Sequence, residues 1–131
     1  MGAIANKRIV LDTYAALNAG DSAGYFAGMR DDVTVTYYGT HRVSGTYRGK
    51  ADLMANLVPP LRARLDGMIK LHVRHVVAEG DHVVVEAHGE ARTKDGQDYN
   101  NLYSIWLRLE DGKIAEIREY MDTELTKSIF G

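Results

Sequence analysis

Apolar residues recur at helical spacing in the first part of the chain. Segment 4–19 carries four of them, at Ile9, Val10, Tyr14 and Leu17. The run "NAGD" then supplies a glycine suited to a helix C-terminus, and Asp21 or Ser22 can cap a second short helix in "SAGYFAGM". A third helical pattern, "KADLMANLVPPLRARL", contains Pro59 and Pro60, which should kink or divide it.

Strand patterns begin with the β-branched and aromatic run "DDVTVTYYG", followed by a short extended or hairpin piece in "HRVSGTYRG". Four further runs follow from Met68: "MIKLHVRHVVA", "HVVVEAHGEARTK", "DYNNLYSIWLRL" and "KIAEIREYM". The turn signals "EGD", "KDG" and "EDG" separate them, which predicts an antiparallel meander. The chain, residues 1–131, is therefore predicted to be one α+β domain. Its curved, cone-shaped antiparallel sheet should wrap around the N-terminal helices and leave a ligand cavity.

The segment "YNNLYSIWLRL" is apolar on both faces of its predicted strand. One face carries Tyr99, Asn101, Tyr103, Ile105 and Leu107. The opposite face carries Leu102 and Trp106, which the helices cannot cover if they pack on the first face. This pattern predicts a homodimer through the outer sheet face, with Trp106 near an interface that buries on the order of 1,600 Å².

Composition excludes several classes of protein. Hydrophobic residues make up 45% and charged residues 26%, as in ordinary soluble domains, so no membrane class is indicated. The net charge of -2 gives no basic field for nucleic acid. There is no cysteine, which excludes disulfides and a cysteine nucleophile. The N-terminus shows no signal-peptide or myristoylation pattern, so a cytoplasmic protein is expected.

The sequence predicts neither a metal site nor a bound cofactor. His72, His75 and His82 have no regular ligand spacing with carboxylates, and strand alternation puts His72 and His75 on opposite faces. No glycine-rich phosphate loop follows a strand, and no Gly-x-Ser-x-Gly elbow occurs.

Two acids stand near the end of the last predicted strand, in "KIAEIREYMDT". Alternation puts Glu119 and Met121 on one face, and Asp122 on the other side of a bend unless a bulge turns it toward the cavity. A carboxylate in an apolar cavity has a raised pKa and can act as a general acid or base. The alternative for Asp122 is a cap on the turn or tail "TELTKSIFG" that follows.

His88 lies in "VVVEAHGEA" on the same strand face as Glu86 and Glu90, opposite an apolar stripe. Periodicity favours a solvated polar stripe with the apolar face toward the helices. The functional alternative is a proton carrier near Asp122, because a histidine titrates close to neutral pH.

The order of these segments resembles the nuclear transport factor 2-like superfamily, and within it the SnoaL-like group of polyketide cyclases and relatives of ketosteroid isomerase. The motifs that carry the resemblance are "ALNAGD", "DDVTV", "SGTYRGKADL" and the ending "DGKIAEIREYMDT". The resemblance spans nearly the whole chain. It implies the cone-shaped fold more strongly than a reaction, because this fold hosts many chemistries.

Residue by residue, the chain matches the site residues of some of these enzymes and not of others. The two catalytic acids of ketosteroid isomerases would fall at Tyr37 and near Ile105, and neither is an acid here. The Arg-x-Asp pair of limonene epoxide hydrolases is missing from "VVVEAHGEA". SnoaL-type cyclases use one acid near the end of the last strand, followed by Thr, and "MDT" matches at Asp122 and Thr123. Counting back from "KDG" under the resemblance also turns His88 toward the cavity.

The resemblance implies a pocket for a small lipophilic carbonyl compound and a cofactor-independent cyclase, isomerase or dehydratase. Asp122 is the expected proton carrier, and His88, Tyr37 or Asn101 the group that stabilises charge on oxygen. The expected ligand-contacting residues are Tyr14, Tyr37, Asn101, Tyr103, Glu119 and Met121. For the aromatic residues, ordinary core packing is the alternative. A non-catalytic ligand-binding or dimerisation module is the alternative function.

Overall fold

The computed structural model describes residues 2–131. The helices are α1 (Ala3–Asn18), α2 (Ser22–Ala27), α3 (Lys50–Asp52), α4 (Val58–Arg64) and α5 (Thr123–Phe130). A π-helical turn (Leu53–Leu57) joins α3 to α4. The strands are β1 (Met29–Tyr37), β2 (Gly45–Arg48), β3 (Lys70–Glu79), β4 (His82–Glu90), β5 (Leu102–Glu110) and β6 (Lys113–Met121).

The described strands form one curved, unclosed sheet in the order β2-β1-β6-β5-β4-β3. Strands β3 to β6 are the predicted antiparallel meander, and the α+β class with helices packed on one sheet face is confirmed. The prediction of a wholly antiparallel sheet needs one correction, because β1 pairs with β6 in parallel. No tight hairpin connects these two strands, so the chain places no antiparallel constraint on them.

The core lies between α1 and the concave face of the sheet. Val10 and Leu17 project from α1, which packs on β3 and β4. Val85, Ile105 and Ile117 face them from neighbouring strands, and each is buried. Burial of each such side chain contributes about 1.5–3 kcal/mol, so this layer fixes the frame around any cavity.

The two prolines lie where the predicted helical pattern changes from a π-helical turn to α4, so the pattern consists of separate helical elements, as the prolines predict. Pro59 and Pro60 occupy the first turn of α4, directly after the π-helical turn. A proline in the first helical turn is tolerated because the N–H groups there have no partner inside the helix. The shift in hydrogen bonding falls on the π-helical turn, and α4 continues to Arg64.

Strand β3 contains a bulge that changes which side chains share a face. His72 pairs with His88 and His75 with Glu86, with the register shift between them. Both histidines therefore point to the outer face, where His72 contacts Glu90 at 2.8 Å. The predicted placement of His72 and His75 on opposite faces is wrong, because a bulge adds one residue to the alternation.

Candidate functional site

A mostly apolar cavity of about 140 Å³ lies between the concave face of the sheet and helices α2 and α4. Its apolar wall includes Leu17, Phe26, Leu61, Leu71 and Phe130. An engineered apolar cavity of about 150 Å³ in another protein accommodates benzene. A cavity of this volume is therefore suited to one small ring or a short branched chain.

Glu119 is the acid among the described residues that line the cavity. Alternation along β6 turns its side chain to the concave face, between the inward-facing Ile117 and Met121. The side chain is buried, and burial raises its pKa from 4.5 to about 7, while a hydrogen bond from Tyr37 partly opposes the rise. The carboxyl group can therefore give or take a proton near neutral pH.

Tyr37 reaches Glu119 because of the parallel strand pairing. The two residues are partners in the register of β1 and β6, and the Tyr38 N–H donates to the Glu119 carbonyl oxygen at 3.2 Å. Burial, and secondarily the Glu119 charge, raise the pKa of Tyr37 well above its usual value. Its hydroxyl therefore stays protonated at neutral pH and remains a hydrogen-bond donor.

Two further tyrosines bring hydroxyl groups to the cavity wall. Tyr25 enters from α2, and burial raises its pKa, with the Glu119 charge adding to the effect. Tyr103 enters from β5, where burial likewise raises its pKa and a hydrogen bond links it to Tyr99. The Tyr103 ring lies over Gly89, where an added Cβ would be 2.7 Å from a ring carbon. Glycine at 89 thus permits this ring position.

The structure brings four predicted ligand-contacting residues together in one cavity wall. Tyr37, Tyr103, Glu119 and Met121 all line the same cavity. Sequence alternation identifies the inward face of each strand, and the strand order places β1, β6 and β5 side by side. The inward residues near the ends of these strands therefore converge.

Asp122 does not line the cavity, and its predicted position there is wrong. Its exposed carboxylate caps α5, accepting hydrogen bonds from the backbone N–H groups of Glu124 at 3.1 Å and Leu125 at 3.2 Å. Strand β6 ends one residue earlier, at Met121, and the chain then turns into a helix. Such a turn presents unpaired N–H groups that a cap satisfies. The capping alternative is confirmed.

Asn101 is buried and holds the start of α5 without lining the cavity. Its side-chain oxygen accepts from the backbone N–H groups of Leu102 and Asp122, at 2.8 and 3.1 Å. Its side-chain nitrogen donates to the Asp122 carbonyl oxygen and the Thr126 hydroxyl, both at 3.0 Å. These bonds occupy the amide group, so the predicted contact of Asn101 with a ligand is corrected to a structural role.

Tyr14 is also buried outside the cavity lining. It projects from α1 and packs against Tyr25, with ring centroids 6.1 Å apart. The predicted ligand contact is therefore corrected to core packing behind a residue of the wall. The alternative of an ordinary core aromatic with a satisfied hydroxyl is met only in part, because the buried Tyr14 hydroxyl has no hydrogen-bond partner among the described residues.

His88 lies on the outer face of the sheet. Ala87 and Gly89 on either side of it are buried, whereas His88 pairs with Leu102 of β5 and contacts Arg74, with its Nδ1 atom 2.8 Å from the guanidinium. The polar-stripe interpretation is confirmed. The cavity-facing placement implied by the resemblance is wrong, because β4 keeps its alternation through this position.

Sequence reasoning missed several wall residues. Tyr25 and Phe26 belong to α2, whose sequence pattern predicts a helix but no cavity contact, and Phe130 belongs to α5, where the pattern predicts only a turn or tail. Arg62 at the end of α4 carries no spacing signal at all.

Within residues 2–131, no cluster of three or more His, Cys, Asp or Glu side chains is arranged to hold a metal ion. No described helix has the length and apolar character needed to cross a membrane.

The model of the SnoaL-like domain family matches residues 10–117. No curated protein is significantly similar in sequence. Among solved structures, a nuclear transport factor 2-like protein from Burkholderia xenovorans LB400 is 27% identical, with a TM-score of 0.79 over 100% of this chain and 99% of that one.

Two further solved structures resemble the chain. TerC, co-crystallized with polyporic acid, is 25% identical with a TM-score of 0.82, covering 96% of this chain and 98% of its own. A protein from Jannaschia sp. CCS1, described as a SnoaL-like polyketide cyclase, is 16% identical with a TM-score of 0.78, over 98% and 92% of the two chains. At that identity the second likeness concerns the fold alone.

Proposed function

Because this chain belongs to the SnoaL-like domain family of the nuclear transport factor 2-like superfamily, we propose that it is a small-molecule pocket protein with cofactor-independent acid–base activity. Its substrate is a small lipophilic carbonyl compound, and Glu119 transfers the proton. The observation that carries the proposal is the single buried carboxyl group in the described apolar wall, with a pKa of about 7.

The proposed chemistry is proton transfer next to a carbonyl group. Ionised Glu119 takes a proton from the carbon beside the carbonyl, and the electron pair of the broken C–H bond moves to form an enolate. A tyrosine hydroxyl, from Tyr25 or Tyr103, donates a hydrogen bond to the enolate oxygen, while Tyr37 donates to Glu119. The protonated Glu119 then returns its proton to carbon, which completes an isomerisation or prepares a ring closure.

Both parts of this mechanism agree with the wall described above. Tyrosines with raised pKa values stay protonated, as hydrogen-bond donors must. A general base works best when its pKa is near the working pH, and Glu119 meets that condition. The co-crystal of TerC with polyporic acid adds support for small-molecule binding in a related fold.

Deuterium exchange tests the proposal without knowledge of the natural substrate. A one-ring ketone such as phenylacetone is incubated with the protein in D₂O, and loss of the signal of its exchangeable protons is followed by NMR. Wild type should accelerate the exchange, and Glu119→Gln should abolish the acceleration. Asp122→Asn is the matched control, because it makes the same change in an exposed carboxyl that caps a helix.

The outcome also separates the two acids directly. Asn caps helices as well as Asp does, so Asp122→Asn should keep both fold and activity. Loss of exchange in Asp122→Asn with retention in Glu119→Gln would overturn the assignment to Glu119. Equal exchange in all three proteins would show that neither acid acts on this ketone.

A non-catalytic ligand-binding module is the second candidate function. The solvent-facing position of Asp122 favours it, since the acid that matched the resemblance lies outside the cavity. Tyr37, Tyr103 and Met121, however, leave an open cavity between them and do not fill it. Binding of phenylacetone to wild type and Glu119→Gln with equal affinity, and no exchange by either, would favour this second function.

We also propose that two copies pair through the outer sheet face. Trp106 and Leu102 are exposed there, at 40% and 59%, and Tyr38 stacks on Tyr120 with ring centroids 4.5 Å apart. An apolar patch of this kind on an open sheet face is typical of a partner surface, and a second copy supplies a matching one.

Sedimentation at micromolar concentration tests the pairing. Wild type should sediment at twice the 14.6 kDa chain mass, and Trp106→Asp should sediment as a monomer. Met54→Asp is the control, because Met54 is exposed on the π-helical turn and not on the sheet. A monomeric wild type would refute the dimer, and a dimeric Trp106→Asp would refute this interface.

A further inference from the structure

Arg62 places a positive charge at the rim of the cavity. It is exposed at the end of α4 and borders the cavity together with Gly67 and Met68, which are exposed as well. Glu119 also lines the cavity and is only 6% exposed. The cavity therefore runs from a rim that carries a cation to an interior that carries an acid.

Arg62 has no ion-pair partner among the residues that the structure describes. Asp66, the nearest acid along the chain, borders a separate depression with Lys70 and Glu90. The neighbouring arginine of the same helix, Arg64, donates a hydrogen bond to the Ile129 carbonyl oxygen at 2.9 Å. The guanidinium of Arg62 thus has its donors available to a ligand at the rim.

We propose that the cavity selects small anionic amphiphiles, with a one-ring or short branched apolar body inside and a carboxylate held at the rim by Arg62. This inference rests on the proposed function of the same cavity and adds the chemical class of its substrate. The carbonyl group of such a ligand reaches the tyrosine hydroxyls and Glu119, and its carboxylate stays outside.

Charge fixes the orientation of the ligand in two ways. A carboxylate inside the cavity would lose its hydration and would meet Glu119, whose ionised form repels it. At the rim the same carboxylate stays hydrated and meets a planar guanidinium that can donate two parallel hydrogen bonds. The volume of about 140 Å³ limits the buried part to about one ring.

Binding of two matched probes tests the inference. The probes are 3-phenylpropanoate and 3-phenylpropanamide, which share a ring and a chain length and differ in charge. We expect wild type to bind the carboxylate about three- to five-fold more tightly by calorimetry, the scale of one exposed ion pair. The preference should shrink in about 0.5 M salt, because salt screens exposed charges.

Arg62→Gln should remove the preference and leave the affinity for the amide unchanged. Arg8→Gln is the matched control, since Arg8 is exposed on α1 and is absent from the cavity lining. Equal binding of both probes by wild type would overturn the proposal, as would an unchanged preference in Arg62→Gln. Failure of both probes to bind would overturn the size class.

The binding assay is independent of proton transfer. Glu119→Gln should keep the preference for the carboxylate probe, because Arg62 at the rim supplies it. If deuterium exchange fails in every protein while the preference holds, the catalytic proposal falls and the ligand class stands. If exchange depends on Glu119 and no preference is seen, the catalytic proposal stands and the role of Arg62 falls.

Discussion

The stability of this protein should depend on pH through Glu119, and Glu119→Gln should remove that dependence. Burial favours the neutral carboxyl and raises its pKa from 4.5 to about 7 in the folded chain. In the unfolded chain the same group is hydrated and ionises at its ordinary pKa. Between these two values the folded state therefore holds a proton that the unfolded state has released.

The sign and the size of the effect follow from proton linkage. Where the folded state binds more protons, the free energy of unfolding falls as pH rises. The stabilisation is complete below about pH 4.5, declines up to about pH 7 and is absent above that. At 1.36 kcal/mol for each pKa unit, the total decline is about 3 kcal/mol. A glutamine side chain does not ionise, so Glu119→Gln lacks this pH-dependent contribution to the free energy of unfolding.

Urea unfolding between about pH 4 and pH 8 measures the difference between wild type and Glu119→Gln. The two proteins should be of similar stability at the acidic end, and the glutamine variant should be the more stable one by about 3 kcal/mol at the alkaline end. Glu86→Gln on the outer face is the control, because Glu86 is exposed. A difference between wild type and Glu119→Gln that stays constant across the pH range would refute the raised pKa.

Three further outcomes are expected. Tyr37→Phe removes the hydrogen bond to ionised Glu119, worth about 1.5–3 kcal/mol, so the pH midpoint of deuterium exchange should rise by about one to two units. Tyr120→Phe on the outer face should leave that midpoint unchanged, and an unshifted midpoint in Tyr37→Phe would contradict the contact. Asn101→Leu leaves two partly buried backbone N–H groups without their side-chain acceptor, so urea unfolding should show a loss of about 2 kcal/mol or more; a loss below about 1 kcal/mol would argue against its structural role. Asp122→Ala removes the cap of α5 and should lower the free energy of unfolding by about 0.5–2 kcal/mol while exchange catalysis persists, and unchanged stability would count against the cap.

Periodicity alone determined most of the architecture. The alternating runs from Met68 onward predicted β3 to β6 and their antiparallel order, because turn signals connect neighbouring strands and leave little freedom in pairing. The same alternation identified the buried face of β5 and the exposed positions of Leu102 and Trp106. Local patterns suffice where each strand pairs with its neighbour in sequence.

Local patterns failed where the backbone leaves its regular period. The bulge in β3 put His72 and His75 on one face, although regular strand alternation places residues three positions apart on opposite faces. The end of β6 made Asp122 a helix cap, although the resemblance implied a cavity acid. A single extra residue or the start of a helix reverses the side to which a side chain points, and neither is visible in residue spacing.

The choice between the two acids was decided by tertiary structure. Alternation placed Glu119 and Met121 on one face, and the sequence could not show whether that face was solvent-exposed or buried. The parallel pairing of β6 with β1 brings Tyr37 beside Glu119, and α2, far away in the chain, closes over them with Tyr25. Because a pKa depends on the burial and charges that distant segments supply, only the folded chain makes Glu119 an acid of near-neutral pKa.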